Sequence, residues 1–187
     1  MTEGLRITAT AGGSLLAGGA QRSDLTAIAP ARQARHPSRR WPRCSSSNHT
    51  TSPHLQAMFE AVMSGATDEA IEGVTILARP ALAAAAVDVL EADGYLLGTP
   101  ANIGYMSGAL KHFFDQIYYL CLEATVRRPY GLYVHGNSDT TGAVRAVEAI
   151  AQGLRWRRAQ APVAVLGTPS REDLRPAGIL APCSRPV

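Results

Sequence analysis

Lysine is nearly absent from this chain of 187 residues, where Lys111 stands alone against seventeen arginines. So lopsided a choice reflects GC-rich coding more than selection for a charged surface. Cysteine is scarce as well: Cys44, Cys121 and Cys183 are odd in number and far apart. They offer neither zinc-ligand spacing nor a disulfide framework, as in proteins of a reducing compartment. No apolar run approaches the length of about 20 residues that a bilayer-spanning helix needs. The N-terminus lacks a hydrophobic signal-peptide core behind a basic start, so a cytoplasmic location is expected. Charged residues make up only 18% of the chain and apolar residues 46%, which excludes disordered and fibrous classes for the chain as a whole.

The net charge of +3 could point to nucleic acid, but its distribution argues otherwise. Arg6, Arg22, Arg32, Arg35, Arg39, Arg40 and Arg43 precede residue 44, opposed only by Glu3 and Asp24. This is a basic tail, not a basic face on a folded domain, and neither a nucleic-acid nor a membrane partner is expected.

Composition divides the chain in three. Residues 1–47 have no sustained period. Leu5 to Thr10 suits a short strand, but glycine pairs follow it, and three prolines with five arginines from Pro30 onward oppose regular structure. This segment reads as disordered or aberrant. Residues 48–174 alternate helix and strand signals and form the expected domain. Residues 175–187 hold Pro176, Pro182 and Pro186 and read as an irregular tail.

In the middle region, helices are expected at 53–64, 82–92, 107–122 and 142–154. Leu55, Met58, Phe59 and Val62 share a face of the first, Val87 and Leu90 point inward from the second, and Leu110, Phe113, Phe114, Ile117 and Leu120 from the third. Short apolar strands are expected at 74–78, 94–98, 130–134 and 162–166. Such strands alternating with helices mean an α/β fold, a parallel sheet covered on both faces.

The first helix lacks an apolar strand before it, since Arg43-Cys44-Ser45-Ser46-Ser47 stands there. If these serines use TCN codons, reading one base earlier yields four codons that encode only Leu, Met, Val, Ile or Phe. A buried strand is thus written in the neighbouring frame, and the N-terminal segment is expected to be frame-shifted coding sequence, with the frame restored near Asn48. An uninterrupted reading frame across codons 43 to 48 in close relatives would refute this.

Three loops fall at carboxyl ends of strands, where doubly wound sheets bind ligands. In Asn48-His49-Thr50-Thr51-Ser52-Pro53-His54, hydroxyls and N–H groups at a helix N-terminus suit a phosphate. Taken alone, the loop reads rather as a plain N-cap by Ser52, with Pro53 at the first helical position. The second loop and the helix after it run Gly98-Thr99-Pro100-Ala101-Asn102-Ile103-Gly104-Tyr105-Met106-Ser107-Gly108-Ala109-Leu110-Lys111-His112-Phe113-Phe114-Asp115. This stretch resembles the G-T-P-x-x-x-G-x-M-S-G-x-x-K-x-F-x-D segment of the flavodoxin-like NAD(P)H-dependent FMN reductases and quinone reductases. The third loop, His135-Gly136-Asn137-Ser138-Asp139-Thr140-Thr141-Gly142, is placed like that family's loop beside the flavin ring; it reads equally as a turn capped by Thr141.

The resemblance covers residues 48–174. It implies a flavodoxin-like three-layer sandwich with a five-stranded parallel sheet in the order 2-1-3-4-5, its first strand degraded. It implies FMN as cofactor and NAD(P)H as co-substrate, with reducing equivalents passing through bound flavin to a quinone, free flavin or similar small-molecule acceptor. The implied flavin contacts are Thr50, Thr51, Ser52, His54 and Leu55, then Pro100, Ala101, Asn102, Ile103, Gly104 and Tyr105, then His135, Gly136, Asn137 and Asp139. It assigns no catalytic residue and no metal ligand, because the cofactor carries the chemistry. A homodimer or homotetramer is implied as well. The competing readings are a flavodoxin-type electron carrier and a non-enzymatic remnant damaged at both ends. A receiver domain would need clustered carboxylates where Asn48, Thr99 and His135 stand. A Rossmann dehydrogenase would need a Gly-rich fingerprint after its first strand.

Overall fold

The computed structural model describes residues 6–7, 43–48, 52–66 and 75–175. In chain order the elements are β1 (Arg6–Ile7), β2 (Arg43–Asn48), α1 (Pro53–Ala66), β3 (Thr75–Pro80), a 3₁₀ turn (Ala81–Ala83) and α2 (Ala86–Glu91). There follow β4 (Gly94–Asn102), β5 (Tyr105–Met106), α3 (Gly108–Cys121), β6 (Pro129–Gly136), α4 (Thr141–Gly153), β7 (Arg157–Arg158) and β8 (Val163–Leu166).

The parallel strands lie in the order β3, β2, β4, β6, with β7 and β8 both beside β6. β7 pairs with Pro129 and Tyr130, and β8 with Tyr133 to Gly136, so the two are successive halves of one fifth strand. Pro162, which has no N–H to donate, stands in the interruption. The sheet thus has the flavodoxin order 2-1-3-4-5 expected from the sequence. β1 adds an antiparallel edge beside β3, inside the short strand expected at 5–10.

The fold takes in residues ahead of Asn48. β2 begins at Arg43 and lies in the middle of the sheet, Ser45 between Leu77 and Tyr95, Ser46 between Ala78 and Leu96. Its polar residues hold the position through backbone pairing, and Arg43 fixes the start. Its N–H donates to the Asp93 carboxylate at 2.9 Å, its carbonyl accepts from Asp93 N–H at 2.6 Å, and its guanidinium pairs with Glu91 at 2.6 Å. The disorder expected elsewhere in 1–47, and the irregular tail from 176 onward, lie outside the described residues. Cys44 corrects the expectation that the cysteines offer no disulfide, and with it the inference of a reducing compartment: it is disulfide-bonded, whereas Cys121 is free and buried.

Two apolar clusters of unequal size flank the sheet. On one side α2, α3 and α4 cover Tyr95, Leu97, Leu132 and Val134 with Leu110, Phe113, Phe114, Ile117 and Val147. Trp156 stacks on Tyr95 with ring centroids 4.1 Å apart and donates from its indole N–H to the Thr125 hydroxyl at 2.8 Å. On the other side α1 brings Leu55, Met58 and Val62 against Cys44, Ile76, Leu96, Tyr133 and Val165. Here the hydroxyls of Ser46 and Tyr133 are buried beside each other without a well-formed hydrogen bond.

Helix 82–92 is the one expected element that breaks up. It divides into the 3₁₀ turn and a six-residue α2, and its orientation reverses the expected one. Asp88 and Val89 are buried while Val87 and Leu90 are exposed. Asp88 is the cause: its carboxylate accepts from Ala85 N–H at 2.9 Å and pairs with Arg79 at 3.0 Å, which turns Val87 outward. Leu120, expected to face inward, lies 67% exposed on α3. Among the described residues, no helix is long and apolar enough to cross a membrane.

Burial gives the core a pH limit on the alkaline side. It pushes the Tyr95 phenol up to about 12 and raises Tyr133 and Tyr130 as well. The unfolded chain then ionises near pH 10 while the native phenols stay protonated, so the unfolded state binds fewer protons and stability falls as pH rises. Stability is expected to be flat up to about pH 9 and to drop by about 2–3 kcal/mol from Tyr95 alone by about pH 12. Urea melts at stepped pH would measure this, and Tyr95→Phe should flatten the decline.

Candidate functional site

The carboxyl ends of β2, β4, β6 and β8 lie at one edge of the sheet. The first loop, at residues 49–51, lies outside the described residues and with it Thr50 and Thr51. Its C-terminal part is ordered by capping: the Ser52 hydroxyl accepts from Leu55 N–H at 3.2 Å. The 14-residue α1 that follows has no acidic residue in its first turn, so the positive end of its dipole is not neutralised locally. Leu55 itself is fully buried in the core, which leaves its side chain unavailable to a ligand.

The second loop is a hairpin. β4 runs to Asn102 and turns through Ile103 and Gly104 into β5, with Asn102 opposite Tyr105 and Ala101 opposite Met106. Both turn residues have positive φ, +50° at Ile103 and +71° at Gly104. A two-residue turn with that geometry favours Asn-Gly, and a β-branched residue in its first position is strained. Ile103 nevertheless sits there fully exposed, with Tyr105 half-exposed beside it. Replacing Ile103 with Asn is expected to stabilise the protein by about 1 kcal/mol through relief of that strain. A urea midpoint that fails to rise would argue that the strain is absent.

Below the hairpin the connection is rigid. The buried Thr99 hydroxyl accepts from Ser107 N–H at 3.0 Å and donates to the Pro100 carbonyl at 3.0 Å, while the Ser107 hydroxyl caps α3 by accepting from Leu110 N–H at 3.2 Å. Pro100 is buried, Ala101 half-buried and Asn102 exposed.

The third loop meets the hairpin backbone to backbone. A methyl group added at Gly142, in the first turn of α4, would fall well inside contact distance of the Gly104 carbonyl oxygen. One added at Gly136 would lie 2.8 Å from the Asp139 carbonyl oxygen and 3.2 Å from the Ala101 side chain. Asn137, Ser138 and Asp139 form an exposed arc between these contacts. The Asp139 carboxylate accepts from both the N–H (2.9 Å) and the hydroxyl (2.7 Å) of Thr141, and these bonds hold its carboxyl below the usual range. Asp139, not Thr141, therefore serves the first turn of α4.

His135 joins the remaining loops. Its Nε2 lies 2.7 Å from the Gly167 carbonyl oxygen and 3.2 Å from Nδ1 of His54, with the two rings edge-on. A carbonyl can only accept, so Nε2 of His135 carries the hydrogen and directs it to Gly167, and Nδ1 of His54 approaches the same N–H as the longer branch of a shared contact. The pair ties the start of α1 to the ends of β6 and β8.

The predicted site residues in the described segments thus share one edge. Ser52, His54, Ala101 to Tyr105, His135, Gly136, Asn137 and Asp139 surround it, while the side chains of Leu55 and Pro100 turn away into the interior. Gly142 and Gly167 were missed. A signal for Gly167 was present: Leu97-Gly98-Thr99-Pro100 recurs as Leu166-Gly167-Thr168-Pro169, again at a strand end. Among the described residues, no cluster of three His, Cys, Asp or Glu side chains could hold a metal ion.

No family model matches the chain, and no curated protein matches it. Solved structures do. A flavodoxin from the domain Archaea aligns with a TM-score of 0.60 at 17% identity, over 74% of this chain and 93% of that one. A flavodoxin, WrbA-like protein from Agrobacterium tumefaciens aligns at 0.57 with 17% identity, over 75% and 93%. The rubredoxin oxygen:oxidoreductase of Desulfovibrio gigas aligns at 0.63 with 12% identity, and 77% of this chain spans only 36% of that protein. At these identities the likeness shows the fold, which is flavodoxin-like.

Proposed function

We propose that the chain binds FMN at this edge and works as an oxidoreductase that passes reducing equivalents from NAD(P)H to a quinone, free flavin or similar acceptor. The observation that carries the reading is the joining of the Gly104 hairpin to the third loop at the carboxyl edge of a flavodoxin-ordered sheet, built from the segment that resembles the FMN reductases. The residues present fit that cofactor. The first turn of α1 has no carboxylate to repel a phosphate, and nothing lies within 4 Å of the position a Cβ on Gly104 would take. The one carboxylate in the third loop is held by Thr141.

When bound, FMN would supply the hydride and electron chemistry. The protein's share is placement. Ser52 and the α1 N-terminus would hold the phosphate end. The hairpin Ala101 to Tyr105 and the arc Gly136 to Asp139, joined at Gly104 and Gly142, would together form the wall against the ring, and the His54–His135 pair would fix the start of α1 relative to them. The acceptor is a small molecule, and a homodimer or homotetramer in the cytoplasm is the accompanying expectation. An electron carrier is the second reading, favoured by the likeness to flavodoxins.

Mixing the purified protein with FMN, desalting it, and recording its visible spectrum and flavin emission tests the cofactor. Retained absorbance with quenched emission is the expected outcome; flavin washing away from a folded protein would refute it. NAD(P)H oxidation by the loaded protein with a quinone then separates the two readings, since a carrier would show none.

A further inference from the structure

His54 and His135 meet in a geometry that two imidazoles also take around one metal ion. Their facing nitrogens, Nδ1 of His54 and Nε2 of His135, are 3.2 Å apart. Zinc binds imidazole nitrogen at about 2.0–2.1 Å, so an ion equidistant from both would see them at roughly 100°, close to the tetrahedral angle. The ring centroids give an independent measure. A straight N–H···N bond of this length would hold them about 5.5 Å apart, whereas two rings each pointing in its own plane at a shared zinc would hold them about 5.0 Å apart. The separation found is 5.0 Å, with the ring planes at 67°. The contact is therefore bent towards a common point. The Gly167 carbonyl oxygen, 2.7 Å from Nε2, also lies in front of that nitrogen and offers a third donor. No described cation is bonded to either ring. His135 is buried and His54 half-buried, and nothing lies within 4 Å of where a Cβ on Gly167 would stand, so the site is sheltered on one side and open on the other.

We propose that His54 and His135 bind one zinc-class divalent ion, with the Gly167 carbonyl and water completing a four-coordinate shell. To ligate, His135 must carry its single hydrogen on Nδ1 instead of Nε2, a change of tautomer that releases no net proton. Imidazole donors suit zinc and its transition-metal neighbours, whereas magnesium and calcium require oxygen. Closed structural zinc sites use four side-chain ligands, so two imidazoles and a carbonyl make an exchangeable site rather than a permanent one. The ion would replace one shared hydrogen with two coordinate bonds and so clamp the start of α1 to the ends of β6 and β8. None of this requires flavin, so the site stands or falls separately from the proposed function.

Equilibrium dialysis of the untagged, metal-stripped, flavin-free protein against zinc chloride tests the site. Wild type is expected to take up one ion per chain at this site, and His54→Ala and His135→Ala to bind it at least about tenfold more weakly. His112→Ala, at an exposed position on α3, is the control and is expected to bind like wild type. No uptake by wild type, or equal uptake by wild type and His54→Ala, would overturn the proposal. The half-buried His54 keeps the comparison decisive even where loss of the buried His135 prevents folding. Cobalt(II) in place of zinc reads the coordination directly: the intense visible absorption of a four-coordinate ion is expected, and its loss in His54→Ala. The weak spectrum of hydrated cobalt with protein in excess would count against the site. Saturating zinc is expected to raise the melting temperature of wild type and leave that of His54→Ala unmoved, and magnesium to move neither. An equal rise in both proteins would place the ion elsewhere.

Discussion

Gly142→Ala is expected to reduce FMN affinity at least about tenfold and to destabilise the protein by about 1–3 kcal/mol. Both effects run against local propensity, because alanine in place of glycine inside a helix ordinarily stabilises by about 1 kcal/mol. The reversal comes from the neighbour. The added methyl would enter the space of the Gly104 carbonyl oxygen, a backbone atom that cannot rotate aside. Either the hairpin lifts from α4 or the first turn of the helix shifts, and in both cases the walls of the proposed flavin site separate. Gly153→Ala, at the other end of α4, is the matched control. Its methyl would meet the tip of Tyr118, a half-buried side chain with room to swing outward. Flavin titrations and urea melts of the two variants decide the matter. A Gly142→Ala protein that binds and melts like wild type would show that the hairpin and α4 are not locked together.

Gly98→Ala is expected to be the more damaging substitution, costing about 3 kcal/mol or more and leaving little folded protein. The methyl would enter the ring of Tyr133, which projects from β6, the strand between β4 and β8, and is fully buried with nowhere to turn. Tyr133→Phe is expected to be neutral or slightly stabilising. Its hydroxyl lies beside that of Ser46 without a well-formed hydrogen bond, so removing it leaves no new unsatisfied group of its own. Soluble yield and urea midpoints test both; a Tyr133→Phe variant that loses more than about 1 kcal/mol would mean that the two hydroxyls do pair.

Much of this architecture was legible because the informative segments obey local rules. The apolar runs at 94–98 and 130–134 identify the central strands, and Ser107 ahead of Leu110, Phe113, Phe114 and Ile117 marks both the start and the face of α3. The G-T-P stretch locates the hairpin. What could not be read depends on contacts between residues far apart in sequence. No periodicity reports that Arg79 holds Asp88 and so turns Val87 outward. His54 and His135 are brought together only by the parallel crossover. The serines of β2 carry no strand signal at all; their position comes from β3 and β4, which leave between them a gap that backbone hydrogen bonds can fill. The polar core this creates, with two unpartnered hydroxyls at Ser46 and Tyr133, agrees with a sequence in which the apolar alternative lies one base away.

The unequal clusters on the two faces of the sheet have a consequence for how the molecule opens. In native-state hydrogen exchange, amides of α1 should exchange through a partial opening that leaves β4, β6, α3 and α4 protected, because fewer buried side chains hold α1 in place. Ser52 and His54 sit at the start of that helix. Breathing of the weaker face would therefore release the phosphate end of a bound flavin first, while the hairpin and the third loop still hold its ring. Cofactor loss would then be a two-step process, its first step set by the local stability of a single helix.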